Sequence, residues 1–334
     1  MTVPDAAQGG VGDRSRPPAP MPSPDPDLDA LVAAIADSYR GEPRTRHIDG
    51  LRRLPSRDAI IEAIALLREL LFPGYFGNQT MSDRQLAYHI GDLLIRIQAL
   101  LEEQIGHAIR HQAVRRGEPG APDPDTAPAT TRAFLGAIPH LRAVLATDVQ
   151  AAFDGDPAAS DTDEIIFSYP GFFAIMVHRL AHELHRRRVP LIPRMMTEYA
   201  HSLTGVDIGA GAVTGEAFFI DHGTGVVIGE TAVIGNRVKI YQGVTLGALS
   251  TRGGQGLRGR KRHPTLEDDV TVYSGASVLG GDTVIGRGAV ISGNVFVTRS
   301  VPPFTRVTVR NPELQYKDQR PQEFTQDSSL DWVI

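Results

Sequence analysis

The chain has 334 residues, 41% of them hydrophobic and 6% aromatic, with a formal net charge of −5 at pH 7 and no cysteine. That length can hold two domains and a sizeable core. Disulfides and thiolate chemistry are excluded, net acidity argues against nucleic acid as the main partner, and no apolar run reaches the length of a membrane span or has the order of a signal peptide, so a cytoplasmic protein is expected.

Residues 1–27 are dominated by Pro, Ala, Gly and Asp, too little apolar content to offset the entropy of ordering, and read as a disordered tail. From Leu28 to residue 204 the pattern is helical. Leu31, Ile35 and Tyr39 share one face, and Ile60, Ile61, Ile64, Leu67 and Leu70 another. Leu86, Ile90, Leu93, Ile97, Leu100 and Leu101 mark the longest helix, opened by Ser82 as N-cap and running to about Arg115. Residues 117–130, with four prolines, read as a linker. This first helical block carries no catalytic constellation, so packing or oligomer contact is its expected role. A second block follows from Thr131, in which one helix carries His178, His182 and His185. His178 and His182 lie four apart, but His-Glu-Leu-His is not the zinc-protease spacing, so no metal site is expected there. Arg186-Arg187-Arg188 ends the helix as a cation cluster suited to a helix C-terminus.

At residue 205 the period changes. Ile228, Ile234, Ile240 and Leu246 are six apart, as are Leu266, Val272 and Val278, then Ile285, Ile291 and Val297. A small residue follows most of them, and a second small or β-branched residue falls four later, as at Ala232, Val238, Val244, Val270, Ala276, Ala289 and Val295. Neither a helix nor simple alternation gives a period of six. A left-handed parallel β-helix of hexapeptide repeats does, with the aliphatic residue inside the prism and the small residue at its corner. The fold class is therefore α+β: an N-terminal all-helical region, then the β-helix over residues 205–312, then a flexible tail over 313–334. A β-sandwich is the competing reading, but it gives no reason for a six-residue register.

One short stretch breaks the repeat: Ile220-Asp221-His222-Gly223-Thr224-Gly225. An acid–histidine pair at such a break suggests an active site, because histidine titrates near neutrality and can take a proton from a hydroxyl. A second break lies between Leu246 and Leu266, a loop with Gly253-Gly254, Arg258, Arg260, Lys261 and Arg262. Mobile and basic, it could close over substrate and attract phosphates. No aromatic stacking residues accompany those charges, which tells against nucleic acid.

Asp207-Ile208, Asp221-His222-Gly223-Thr224-Gly225 with Gly229-Glu230-Thr231, Tyr241-Gln242-Gly243-Val244-Thr245-Leu246-Gly247, and Arg262-His263-Pro264 together resemble serine O-acetyltransferase, over about Asp148 to Pro303. The resemblance implies acetyl transfer from acetyl-CoA to the hydroxyl of L-serine, for cysteine biosynthesis, with no metal. It makes His222 the general base and Asp207 its acid partner. It makes Asp156 and Asp221 ligands for the serine ammonium, and Arg262 and His263 ligands for its carboxylate. Acetyl-CoA would lie in a groove between neighbouring prisms of a homotrimer or dimer of trimers, along Gly247, Ala248, Ser274, Gly275, Ser292 and Gly293, with Arg310 as a further contact. Ile334 matches the C-terminal isoleucine by which some members bind O-acetylserine sulfhydrylase. The sequence departs from the family at Tyr273-Ser274-Gly275, Ser292-Gly293-Asn294 and Val309-Arg310-Asn311-Pro312. Another hexapeptide O-acyltransferase, acting on a sugar or antibiotic, would need no ammonium and carboxylate binders. A metal-dependent hydrase would need three histidines in the prism, and a binding scaffold would have no use for the acid–histidine set.

Overall fold

The computed structural model describes residues 26–47, 53–77, 80, 82–118 and 122–310. The expected tails at 1–27 and 313–334, Ile334 included, lie outside the described residues, with one correction. Pro26 and Asp27 are helical, because proline suits the first helical position and Asp27 and Asp29 favour the positive helix end. The chain divides into two units, residues 1–51 and 52–334. The first holds helix α1 (Pro26–Gly41) and a 3₁₀ turn at Pro43–Thr45.

The second unit begins with α2 (Arg57–Leu71), α3 (Asp83–Arg116) and α4 (Thr126–Leu135). The Gln85 side-chain oxygen accepts from the Ser82 N–H and hydroxyl at the start of α3, and Gly117, at φ 66°, ends it in the left-handed conformation that glycine accepts without strain. Ile60, Ile64, Leu67, Leu93, Ile97 and Leu101 are each no more than 1% exposed, so the second and third predicted faces meet in a core, whereas Leu31, Ile35 and Tyr39 of the first are exposed. The expected linker is shorter than read, since α4 already starts at Thr126. Pro128 falls in its first turn, where no intrahelical N–H bond is lost. Next come α5 (Ile138–Gly155), α6 (Thr162–Ser168), α7 (Pro170–Arg186) and α8 (Ile192–Thr204).

The remaining strands are two or three residues each: β1 (Asp207–Ile208), β2 (Val213–Thr214), β3 (Phe219–Asp221), β4 (Val227–Ile228), β5 (Val233–Ile234), β6 (Lys239–Tyr241), β7 (Thr245–Gly247), β8 (Thr265–Leu266), β9 (Thr271–Val272), β10 (Ser277–Leu279), β11 (Val284–Ile285), β12 (Val290–Ile291), β13 (Phe296–Val297) and β14 (Arg306–Val307). They stack as three parallel sheets, β1-β4-β7-β10-β13, β2-β5-β8-β11 and β3-β6-β9-β12-β14, which form a left-handed solenoid of about 5 turns. The hexad register sets the pairing. Ile208, Ile228, Leu246, Val278 and Val297 form one inward column, Ile234, Leu266 and Ile285 the second, and Ile220, Ile240, Val272 and Ile291 the third. Each buried aliphatic side chain contributes about 1.5–3 kcal/mol, and each coil covers the face its neighbour leaves open.

The helices are fixed to the prism by two devices. Gly171, in the first turn of α7, approaches so closely that an added Cβ would sit 2.2 Å from the Ile220 carbonyl oxygen. Deeper in, the Arg179 guanidinium grips the buried Asp148 carboxylate through two bonds of 2.6 and 2.7 Å, and Asp148 also accepts from the Phe218 N–H at 2.9 Å. Arg179 donates onward to the Gly215 carbonyl at 2.8 Å, so α5, α7 and one corner of the coil share a network with every partner satisfied.

Candidate active site

The chain passes repeatedly from the first sheet to the second, then the third, then back to the first, so the prism has three corners. His222 stands at the corner from the third sheet to the first, directly after β3. Its φ of 57° and those of Gly223 (87°) and Gly225 (80°) make a tight turn that throws the imidazole outward, with the side chain 70% exposed. A Cβ on Gly223 would lie 2.8 Å from Val206, so glycine is needed there for space as well as for conformation.

Two carboxylates share that corner. Asp221 ends β3 with its side chain only 9% exposed; its Oδ1 lies 3.6 Å from His222 Nδ1 and its Oδ2 4.0 Å from Lys239 Nζ. Oδ1 is buried without a hydrogen-bond partner. Asp156 caps the C-terminus of α5 and arrives through the packing of α5 and α7 on the coil. It accepts from the Tyr169 hydroxyl at 2.7 Å and from the Ala158 N–H at 2.9 Å. Those two bonds, with smaller help from the charges of His222 and Lys239, hold its carboxyl below the usual range, while burial and the same bond push the Tyr169 hydroxyl up.

Asp207 is not within ion-pair range of His222. Its backbone N–H donates to the Val226 carbonyl at the end of the His222 turn, but its carboxylate groups with Glu198 and His201, their ligand atoms all within 4.8 Å of one another. The acid within ion-pair range of His222 is Asp221. Among the described residues that Glu198–His201–Asp207 set is the one grouping of metal-ligand type, and Glu198 is already paired with Arg194. His178 and His182 have ring centroids 5.8 Å apart. His178 is buried with neither nitrogen bonded, and burial holds its pKa well below the usual value, whereas His182 Nδ1 bonds the Ala210 carbonyl at 2.9 Å.

Arg262 and His263 occupy the corner from the first sheet to the second, where β4 passes to β5 and the long loop returns to β8. His263 Nδ1 accepts from the Thr231 N–H at 3.0 Å, leaving the proton on Nε2, and the Thr231 hydroxyl accepts from the Arg262 and His263 N–H groups at 2.9 and 3.1 Å. Burial chiefly, then Arg262 and Lys261, lowers the His263 pKa to about 4. It is a neutral donor, with Arg262 as the charge beside it. Lys261 is not free to attract phosphates as the basic loop suggested, because it donates to the Thr231 and Pro264 carbonyls at 2.7 and 3.1 Å and pins the loop's return. The loop itself contains a 3₁₀ turn, Gly254–Leu257, and roofs a cavity of about 820 Å³ lined by His185, Arg194, Glu230, Thr231, Arg258 and Arg262.

One chain therefore brings Asp156, Asp221 and His222 together but leaves Arg262 and His263 on a different corner. The small residues expected to flank the acyl donor divide the same way. Ser274, Gly275, Ser292 and Gly293 stack above His222, Gly247 and Ala248 start the loop, and Arg310 is exposed after β14. Tyr273, which departs from the family pattern, stacks on Tyr241 with ring centroids 4.9 Å apart. Sequence reading missed Tyr169, Thr231 and Lys239. Only Thr231 carried a signal, as part of Gly229-Glu230-Thr231.

No family model matches the chain. The plasmid serine acetyltransferase of Synechococcus elongatus is 47% identical over 283 residues, spanning 82% of this chain and 88% of its own. The chain belongs to the serine acetyltransferase family. That membership makes it an acyltransferase. A Mycobacterium tuberculosis serine acetyltransferase is 51% identical over 156 residues, 47% of this chain and 65% of its own. Among solved structures, serine acetyltransferase isoform 3 of Entamoeba histolytica, in complex with cysteine, aligns at TM-score 0.66 and 31% identity over 87% of this chain and 95% of its own. Serine acetyltransferase 1 of the same organism, in complex with L-cysteine, aligns at 0.63 and 32% over 85% and 100%. Among the described residues no helix is long and apolar enough to cross a membrane.

Proposed function

We propose that the protein transfers acetyl from acetyl-CoA to the hydroxyl of L-serine, giving O-acetyl-L-serine and CoA, with His222 as general base. The observation that carries this reading is the corner where a buried, unpartnered Asp221 oxygen, the ionised Asp156 and the exposed imidazole converge. An ammonium fits between the two carboxylates and leaves the adjacent hydroxyl beside His222. His222 takes the hydroxyl proton as that oxygen bonds the thioester carbon, then returns the proton to the departing sulfur when the C–S bond breaks. Asp221, the acid within ion-pair range, steadies the imidazolium, and Asp207, whose backbone N–H is bonded to the end of the His222 turn, is the second acid partner.

Arg262 and His263 bind the serine carboxylate, one by a guanidinium fork and the other as a neutral N–H donor. Since they stand on a different corner from His222, the complete site is made by two copies, in a homotrimer or a dimer of trimers. Acetyl-CoA lies in the groove between prisms, along Gly247, Ala248, Ser274, Gly275, Ser292 and Gly293, where short side chains admit close approach, with Arg310 nearby. L-cysteine, which has sulfur in place of the serine oxygen, occupies the same acceptor site. O-acetylserine sulfhydrylase binds the C-terminal Ile334. A peptide covering Leu330 to Ile334 tests that contact, and absence of binding removes it.

The deciding experiment follows thiol release from acetyl-CoA with L-serine, L-homoserine, a sugar panel or no acceptor, for wild type and His222→Ala. Release with L-serine that collapses in the variant is the expected result. Release only with another acceptor keeps the acyltransferase and discards the substrate.

A further inference from the structure

We propose that Lys239 is a positioning residue for the acceptor: it ties the end of α5 to the coil and sets the net charge of the ammonium site. This rests on the reading of Asp156 and Asp221 as the ammonium ligands.

Lys239 opens β6, and its ladder neighbour on β3 is Phe219; two residues on, Tyr241 pairs with Asp221. Its side chain is 21% exposed. The ammonium donates to the Gly155 carbonyl, one residue before Asp156, and stands 4.0 Å from Asp221 Oδ2. The cation also lies over the Phe219 and Tyr241 rings, 4.9 and 4.8 Å from their centroids. The fit is tight on the helix side as well. A Cβ on Gly155 would come within 2.8 Å of Phe219 and 3.3 Å of Lys239 Nζ, so the glycine lets the α5 terminus settle onto the lysine.

Asp156 comes from the helical region and Asp221 from the coil, and two ionised carboxylates converging on one site repel each other. Lys239 touches both sides of that junction. Its hydrogen bond fixes where α5 ends, and its charge offsets one of the two negative charges, leaving a net −1 for one incoming ammonium. A neutral replacement would leave two uncompensated carboxylates, and the cluster would respond by spreading apart, which degrades the ammonium site. No hydrogen bond or ion pair joins Lys239 to His222, so the proton-transfer step itself should be largely spared.

The test is steady-state kinetics of three variants, with thermal melts to confirm folding. Lys239→Met keeps the packing against the two rings, Lys239→Gln can still donate to the Gly155 carbonyl, and Lys239→Arg keeps the charge. The uncharged variants should raise KM for L-serine roughly ten- to a hundred-fold, the scale of losing a hydrogen bond that involves a charge. Their kcat should stay within about threefold, the mark of lost ground-state binding. KM for acetyl-CoA should not move, and Lys239→Arg should recover most of the loss. An unchanged KM for L-serine in Lys239→Met, or a loss spread evenly over kcat and both KM values, would overturn the proposal. Absence of wild-type turnover with L-serine would instead sink the acceptor reading, and this proposal with it.

Discussion

The two corners of the prism proposed to form the site are built in opposite ways. At the His222 corner the acids come from two separate parts of the chain, β3 and the end of α5, and a left-handed turn holds the imidazole out in solvent. At the Arg262 corner the bonds that hold the Arg262–His263 pair all come from the coil and its loop, from the Thr231 hydroxyl and N–H and from Lys261, with His185 and Arg194 of the helices lining the cavity beside them. The first corner depends on helix docking; the second depends mainly on a loop returning to register. Damage to the packing of α5 and α7 should therefore disable one corner and spare the other.

The sharpest way to break this comparison is to inactivate each corner separately and mix the products. His222→Ala should lose about 10²–10⁴-fold in kcat, the usual contribution of a general base, and Arg262→Ala should be severely impaired in L-serine binding. Co-refolded mixtures of the two should regain part of the activity, because a fraction of sites then pairs an intact His222 corner with an intact Arg262 corner. No recovery in mixed oligomers would mean that each chain completes its own site.

Next in size is Asp148→Ala, which leaves Arg179 buried without its partner and should cost about 3–5 kcal/mol of stability, read from the denaturant midpoint. The same variant should weaken the His222 corner more than the Arg262 corner, since the Asp148–Arg179 network fixes the helices to the coil. Thr231→Val, which removes the oxygen accepting the Arg262 and His263 N–H groups, should raise KM for L-serine about tenfold with little change in melting temperature.

The smallest effect is a pH dependence. His178, His182 and His263 all have folded-state pKa values below the usual imidazole value, so the unfolded chain binds more protons. Their stabilising contribution is fully present above pH 6.5 and is lost as pH falls toward the folded-state values, about 4 for His263. The melting temperature should decline through that window, and His178→Gln should flatten the decline. An equally steep decline in the variant would show that carboxylates dominate it.

Much of the fold was legible because it follows from local periodicity. A period of six names the coil and its inward columns, and Ser82 announces the longest helix. The start of α4 was misread because proline was taken for a breaker where the first turn tolerates it. The Asp148–Arg179 pair was invisible, since its members lie 31 positions apart and isolated charges on helices usually face water. At the site, His222, Asp221 and Arg262 could be singled out by resemblance, but nothing local revealed that the histidine and the arginine stand on different corners. Tyr169 and Lys239 read as ordinary outward residues, and the docking of α5 gives each of them its hydrogen-bond partner.

The long loop leaves the prism after Gly247 and comes back at Thr265, which pairs with Val233 below and Val284 above as though nothing had intervened. A solenoid closes its interior coil by coil, so a corner can let out chain and take it back without charging the rungs on either side. Diversity of sequence can thus collect beside the acceptor while the interior stays still, and that corner is the natural graft point for anyone redesigning what this enzyme acylates.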